Sequence, residues 1–230
     1  MDDAATAPPR RPARPRDPER TRARLLAAAT REFARHGFAG ARVDRITKAA
    51  GVNPRMLYHY FGGKEPLYLA VLDEVYADIR AQERQLDLDA GDPVQALRRL
   101  VGFTFDFFAR NDLFLKLTRN ENLLGGRYVR RSRMIQDMSS PLIEAIGRLI
   151  DRGLASGAFA RGADPLQLYI SIVALSAHHL NNADTLSAVF GAELTAPDWI
   201  AARRAHALAM ILRHLGAAEA LDGAPAAPDK

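Results

Sequence analysis

The sequence predicts an all-α fold. Apolar residues recur at helical spacing along most of the 230-residue chain, and no stretch alternates apolar and polar residues as a half-buried strand does. Three pairs, Asp17-Pro18, Asp92-Pro93 and Asp164-Pro165, place a preferred N-cap residue directly before proline, which is favoured at the first helical position. Each pair therefore marks the start of a predicted helix.

The first 85 residues predict four helices. Glycine readily adopts the backbone conformation that ends a helix, so Gly37, Gly51 and Gly62-Gly63 divide this part of the chain. Asn53-Pro54 repeats the cap and proline before the third helix. The four predicted helices are residues 17–37, 43–50, 53–61 and 64–85.

Five further helices are predicted after residue 91, with Asn111-Asp112 and Gly125-Gly126 as interruptions. They are residues 92–110, 113–121, 128–154, 164–186 and 197–215. Residues 1–16 are rich in Pro, Arg and Ala and predict a flexible basic arm, which either adds DNA contacts or only aids solubility. Residues 216–230 are rich in Ala, Pro and Gly and predict a disordered tail.

The composition excludes several classes of protein. Hydrophobic residues make up 48% of the chain, too many for disorder throughout, and the absence of cysteine excludes disulfides, thiolate catalysis and cysteine zinc sites. No apolar run reaches the roughly 18 residues of a membrane span, so a soluble, cytoplasmic protein with no membrane partner is expected. A nucleophile elbow, a phosphate-binding glycine loop and paired catalytic carboxylates are all missing, so neither an enzyme nor a cofactor is predicted.

Positive charge is concentrated near the N-terminus. Residues 1–64 contain 14 Lys and Arg against 6 Asp and Glu, a net charge of +8, whereas the remainder contains 18 against 21, a net charge of −3. This distribution fits either a polyanion partner for the N-terminal quarter or a basic face that is merely solvated.

Residues 43–61 have the plan of a helix-turn-helix motif. Ala50-Gly51-Val52 is a turn with a small residue, which lets two helices cross closely. The second helix of such a pair lies in the major groove of DNA and presents polar side chains there. Leu57 and Phe61 are expected to pack inside the motif, and Arg55, near the start of the second helix, can pair with guanine in a bidentate manner.

Residues 21–71 resemble the DNA-binding domain of the tetracycline-repressor-like (TetR) family. The resemblance rests on the stretches LLAAATREFARHGFAGARVDRITKAAGV and NPRMLYHYFGGKEPLYLAVL, which contain the family signature LYHYF-x-x-K. It implies a helix-turn-helix DNA-binding domain in residues 17–64 and a helical ligand-binding and dimerisation domain in residues 65–215. It also implies a repressor that binds a palindromic operator in double-stranded DNA as a homodimer and is released by a small-molecule inducer.

The resemblance assigns roles in DNA binding by position. Tyr58, Tyr60 and Lys64 match positions that contact phosphate, and one departure is Arg42, which stands where the family often has a Thr or Ser cap and could reach a phosphate instead. The residues at or beside the base-facing surface of the second helix are Pro54, Arg55, Met56 and His59. Core packing remains the alternative for the two tyrosines, and an inert surface position for His59.

An aromatic stripe that begins at Phe103 is the candidate inducer site. Apolar pockets with a few converging polar groups are typical of small-molecule sites, although such a stripe can equally be ordinary core. His178-His179 lacks further ligands at helical spacing, so no metal site is predicted, and His178 is assigned to the pocket. The candidate ligand-binding residues are Phe103, Phe107, Phe114, Asn120, Asn122, Tyr128 and His178.

The last two predicted helices carry the apolar faces of a dimer interface. Two copies of such a pair form a four-helix bundle with a two-fold axis, unless these faces only complete the core of one chain. The residues on these faces are Leu166, Tyr169, Ile170, Val173 and Leu180 in one helix and Trp199, Ile200, Leu208, Ile211, Leu212 and Leu215 in the other. Two alternatives for the whole protein remain, a DNA-binding protein without an inducer and a helical protein-interaction module.

Overall fold

The computed structural model describes residues 17–217, so the predicted arm in residues 1–16 and residues 218–230 of the predicted tail lie outside it. The described residues contain ten α-helices, one 3-10 helix and no strand, which confirms the predicted all-α fold. The helices are α1 (Pro18–Gly40), α2 (Val43–Ala50), α3 (Pro54–Phe61), α4 (Lys64–Arg84), α5 (Pro93–Arg110), α6 (Asp112–Leu123), α7 (Arg133–Ala155), α8 (Pro165–Asn181), α9 (Ala183–Phe190) and α10 (Pro197–Leu215). The 3-10 helix, η1, is Val129–Arg131.

The three Asp-Pro pairs begin helices as predicted. The side chains of Asp17, Asp92 and Asp164 accept hydrogen bonds from backbone amides three residues later, at 3.1, 2.8 and 2.8 Å. Each bond satisfies an amide that has no partner within its helix, and such a cap contributes about 0.5–2 kcal/mol.

Three helix ends differ from the prediction. Gly37 (φ 64°, ψ 177°) interrupts α1 without ending it, because the chain resumes helical geometry up to Gly40. The helix predicted for residues 128–154 begins only at residue 133, where the Ser132 side chain caps it. The helix predicted for residues 164–186 divides at Asn182, whose side-chain amide donates to the His178 carbonyl oxygen at 2.8 Å.

The four N-terminal helices α1–α4, the predicted DNA-binding end of the molecule, share a core that extends beyond them. Buried residues of α1–α4 pack together with Leu117 of α6, Tyr128 beside η1 and Ile135 of α7. A second core joins α5, α7, α8 and α10, and a smaller aromatic cluster lies where α5 meets α6. The segment formed by α6 and η1 therefore touches both ends of the molecule.

No helix in residues 17–217 has the length and apolar character needed to cross a membrane.

Candidate nucleic-acid interface

The turn between α2 and α3 has the geometry that a helix-turn-helix requires. Gly51 has φ 62° and ψ 42°, a left-handed conformation that costs glycine little. The Val52 amide donates to the Thr47 carbonyl oxygen at 3.0 Å, which satisfies the end of α2. A Cβ on Gly51 would lie 2.6 Å from Nη2 of Arg24, but this is the end of a flexible side chain that can move away, so it is the left-handed conformation that favours glycine.

One face of α3 is buried and the opposite face is exposed to solvent. Leu57 is fully buried in the core of the first four helices. Asn53 caps α3 by accepting a hydrogen bond from the Arg55 amide at 2.9 Å. Exposed side chains follow at Pro54, Arg55, Tyr58 and His59.

The two tyrosines of α3 differ in their surroundings. Tyr58 is 56% exposed, so it is not a core residue of the isolated chain. Tyr60 is half-buried against the core, with its ring 5.2 Å from that of His59, and Met56 is also half-buried. Tyr60 is therefore held more firmly than Tyr58.

Lys64 is fixed by contacts with the end of α1. Its Nζ donates to the Ala39 carbonyl oxygen at 3.3 Å and lies 4.8 Å from the centre of the Phe38 ring. Burial lowers the pKa of Lys64. The ammonium group thus has a defined position at the start of α4, where a helix N-terminus also favours phosphate.

Arg42 provides no side-chain cap for α2. Its Nε and Nη2 each donate to the Asp44 carboxylate at 3.1 Å, and its backbone amide donates to Oε1 of Glu32 at 3.0 Å. Glu32 also accepts from Nε of Arg45 at 2.7 Å. Arg42 is exposed, so a phosphate could replace Asp44 as its partner.

Sequence reasoning missed the residues that support this surface. Glu32 holds the start of α2 from ten residues away, and Phe38 lies under the Lys64 ammonium group. Neither contact follows a helical spacing, so no pattern in the sequence indicates it.

Two of the predicted ligand-binding residues contact the DNA-binding end. Asn120 of α6 donates through Nδ2 to the carbonyl oxygens of Phe33 and Ala34 at 3.1 and 3.3 Å. The buried Tyr128 ring lies 4.9 Å from Phe38 and 5.0 Å from Tyr68. Both residues therefore join the α6–η1 segment to α1 and α4.

Glu121 fixes the turn between α6 and η1. Its carboxylate is buried and accepts hydrogen bonds from the backbone amides of Tyr128 at 2.5 Å and Val129 at 3.1 Å. Further along, Ser132 donates to Oδ1 of Asp73 in α4 at 2.5 Å. These bonds set the path of the chain against α4.

The other predicted ligand-binding residues fall into separate places. Phe103, Phe107 and Phe114 belong to one aromatic cluster, with ring centres 5.8 Å apart for Phe103 and Phe107 and 5.5 Å for Phe107 and Phe114. Asn122 is exposed near the end of α6, and His178 is exposed on α8. The structure therefore does not bring all seven predicted residues to one cavity.

His179, rather than His178, is the buried histidine of α8. Its ring lies between Phe105 and Trp199, at 5.4 and 5.2 Å between ring centres, and neither ring nitrogen has a hydrogen-bond partner within residues 17–217. Burial, with the nearby Arg203 charge, lowers the pKa of His179 to about 4. The ring is therefore neutral at pH 7. Across the described part of the chain, no three His, Asp or Glu side chains gather as metal ligands.

Known protein families match both parts of the chain. Residues 25–71 match the family described as bacterial regulatory proteins, tetR family, and residues 93–211 match the tetracyclin repressor-like C-terminal domain. The transcriptional repressor NicS of Pseudomonas putida is 35% identical over 186 residues, which cover 79% of this chain and 88% of that protein. The transcriptional regulator RutR of Escherichia coli O157:H7 is 30% identical over 170 residues, covering 74% and 78%.

Solved structures agree with this assignment. A TetR-family transcriptional regulator from Pectobacterium atrosepticum is 26% identical, covers 86% of this chain and 95% of its own, and superposes with a TM-score of 0.55. A bacterial regulatory protein in the tetR family from Rhodococcus has the same fold, with a TM-score of 0.67, 20% identity and coverage of 86% and 98%. The chain therefore belongs to the tetR family of bacterial regulatory proteins and is a helix-turn-helix transcriptional regulator.

Proposed function

We propose that the protein is a repressor that binds a palindromic operator as a two-fold dimer and leaves it when a small molecule binds. The observation that carries this proposal is the free face of α3, where Arg55, Tyr58 and His59 are exposed opposite the buried Leu57. A cytoplasmic location follows from the proposal, since a bacterial operator lies in the chromosome.

The residues of this surface have separate proposed roles. Arg55 donates to a guanine edge, and Pro54, Met56 and His59 line the base-facing surface around it. The proposed phosphate contacts are made by Arg42, Tyr58, Tyr60 and Lys64. Phosphate contacts set register and base contacts set sequence preference, so the two groups predict different defects.

The proposed dimer interface lies on α8 and α10. Leu166 and Ile170 of α8 and Met210 of α10 are 49%, 52% and 45% exposed, so they are apolar side chains available to a second copy. Three residues predicted on the α10 face, Ile211, Leu212 and Leu215, are instead buried in the core of one chain. The proposed four-helix interface therefore uses the other side of α10.

Titration against DNA tests the proposal. Purified protein would be titrated by fluorescence anisotropy against DNA from immediately upstream of its own gene and against a scrambled fragment, at several salt concentrations. A repressor of its own promoter binds the native fragment more tightly, with a steep salt dependence. Undetectable binding to both fragments at low salt would contradict the proposal.

Two variants separate base contacts from phosphate contacts. Arg55→Ala should relax the preference at one position of each half-site, whereas Lys64→Ala should weaken all sequences about equally and reduce the salt slope by about one. Arg110→Ala, which removes an exposed arginine from the last turn of α5, is the control and should bind as the unchanged protein does. If Arg55→Ala has the same sequence preference as the unchanged protein, Arg55 does not contact a base.

A further inference from the structure

A cavity of about 220 Å³ opens between the end of α4, the loop after it and the middle of α7. It shares no residue with the aromatic cluster of Phe103, Phe107 and Phe114. Its volume lies below the range of roughly 300–1,000 Å³ that is typical of drug-sized ligands, so an occupant would be small.

Arg80 of α4 lines this cavity and has an unused edge. The residue is only 8% exposed, and its Nη1 donates to Oε2 of Glu83 at 2.5 Å and to the Tyr169 hydroxyl at 3.0 Å. Its buried Nε–H has no acceptor within residues 17–217. A buried donor without a partner costs about 1–3 kcal/mol, more when the group is charged. Because Nε is buried, a ligand's acceptor reaches this unused donor only when the Arg80 side chain shifts towards the cavity.

Two of the three carboxylates that line the cavity, those of Glu83 and Asp89, already have partners. Glu83 accepts from Arg80 through Oε2 and from the Tyr169 hydroxyl through Oε1 at 3.0 Å. Asp89, at the rim, is paired with both Nε and Nη2 of Arg148 at 2.9 Å. The third carboxylate, that of Asp87, is exposed to solvent, so the buried part of the lining offers a ligand a donor in preference to an acceptor.

The remaining walls are largely apolar. α7 contributes a row of side chains opposite Arg80, and the loop after α4 contributes a buried leucine. Arg84, one turn after Arg80, adds a positive charge to the lining. The apolar lining residues are Leu88, Met138, Pro141, Leu142 and Ala145.

We propose that this cavity binds a small organic monocarboxylate, with its carboxylate on the Nε edge of Arg80 and its apolar body against α7. Arginine and carboxylate have matching planar geometries, and a pair of parallel hydrogen bonds between them is stronger than bonds between neutral groups. The inference rests on the proposed repressor function, for it assigns the inducer to an acid class and to this cavity. α4 carries both Arg80 and Lys64, so one helix connects the cavity to the DNA-binding surface.

Calorimetric titration of the full-length protein without DNA tests the binding site directly. The probes are benzoate and hexanoate, each compared with its amide, which has the same shape but no charge. At least one acid should bind ten times or more tightly than its amide. If neither acid binds, or if acid and amide bind equally, the proposal is overturned.

Two variants locate the binding. Arg80→Lys keeps a charge beside Glu83 but removes the planar edge, and it should weaken acid binding at least tenfold. Ala145→Phe fills the cavity from α7 without altering any charge and should abolish binding. The controls, Arg110→Lys and Ala188→Phe, make the same changes at exposed positions outside the cavity. Unchanged acid binding in both cavity variants would place the ligand elsewhere and overturn the proposal.

Operator titration with and without the bound acid distinguishes the two proposals. Acid binding by a protein that binds no operator would overturn the repressor function and leave the cavity site intact. Operator binding by a protein that binds no acid would overturn the cavity site and leave the repressor function intact. Acid binding that leaves operator affinity unchanged would overturn the assignment of this ligand as the inducer.

Discussion

Replacing Gly153 of α7 by alanine should destabilise the protein. A Cβ at this position would lie 2.0, 2.3 and 2.7 Å from three ring carbons of Phe159, which is itself 2% exposed. Ordinary contacts between carbon atoms are about 3.5–4.0 Å. Gly153→Ala can therefore be accommodated only if the buried ring of Phe159 moves.

Two opposing effects set the size of the change. Alanine is favoured over glycine in a helix interior by about 1 kcal/mol. Overpacking a core typically costs about 1–3 kcal/mol, and three close contacts with a buried ring place this variant towards the upper end. We expect Gly153→Ala to lower the free energy of unfolding by about 1–2 kcal/mol.

Gly147, in the same helix, provides the matched control. A Cβ there would lie 3.4 Å from Cγ of Pro165, which is close to ordinary contact. Gly147→Ala should therefore leave stability unchanged or raise it by up to about 1 kcal/mol, because the helix preference is not offset by a clash.

Urea unfolding followed by circular dichroism measures the difference. Protomer concentration must be equal in all samples, since dimerisation makes stability depend on concentration. With a denaturant slope of about 2 kcal/mol per M, the midpoint should fall by roughly 0.5–1 M for Gly153→Ala. A midpoint that rises equally in both variants would refute the packing argument.

Three further predictions concern contacts described above. Asn120→Ala removes both hydrogen bonds from α6 to the Phe33 and Ala34 carbonyls, and should lower the unfolding free energy by about 1–3 kcal/mol in urea; an unchanged midpoint would contradict this. Asp164→Ala removes the α8 cap and should cost about 0.5–2 kcal/mol by the same assay, with Asp164→Asn as the control that keeps an acceptor. Folding lowers the pKa of His179 from 6.5 to about 4, so as the pH falls the unfolded chain binds a proton before the folded chain does. The contribution of His179 to the free energy of unfolding should therefore be fully present above pH 6.5, and about 3 kcal/mol should be lost as the pH falls from 6.5 to about 4. His179→Leu should remove this part of the pH dependence, and parallel pH profiles for the two proteins would exclude it.

Local rules were sufficient for much of the fold. The Asp-Pro starts and the end of α10 agree with the structure because caps and glycines act within a few residues. The break at Asn182 was missed because the apolar spacing continues through Leu186 on the far side of it. Asparagine there bonds to the preceding turn, and sequence alone does not decide whether it does so or faces solvent.

The two candidate sites differed in how far the sequence could predict them. In α3, a single short helix, the helical spacing alone separates buried from exposed positions, so the exposure of its residues could be predicted. The inducer residues were grouped by closeness along the chain, yet Asn120 and Tyr128 pack on α1 and α4 while Phe107 packs with Phe114. The sequence does not predict the burial of Arg80, because an arginine in an amphipathic helix is usually exposed to solvent.

The shared core of the DNA-binding end limits how such regulators can be recombined. Leu117, Tyr128 and Ile135 complete the packing of α1–α4 although they lie more than 30 residues beyond the end of α4. A chimera that joins residues 17–64 to the C-terminal part of a relative would pack two surfaces that did not evolve together. Cavities or clashes would then result in the buried interface between them. The DNA-binding helices and the α6–η1 segment therefore form one packing unit, and a new combination of domains requires compensating changes in α6 and η1.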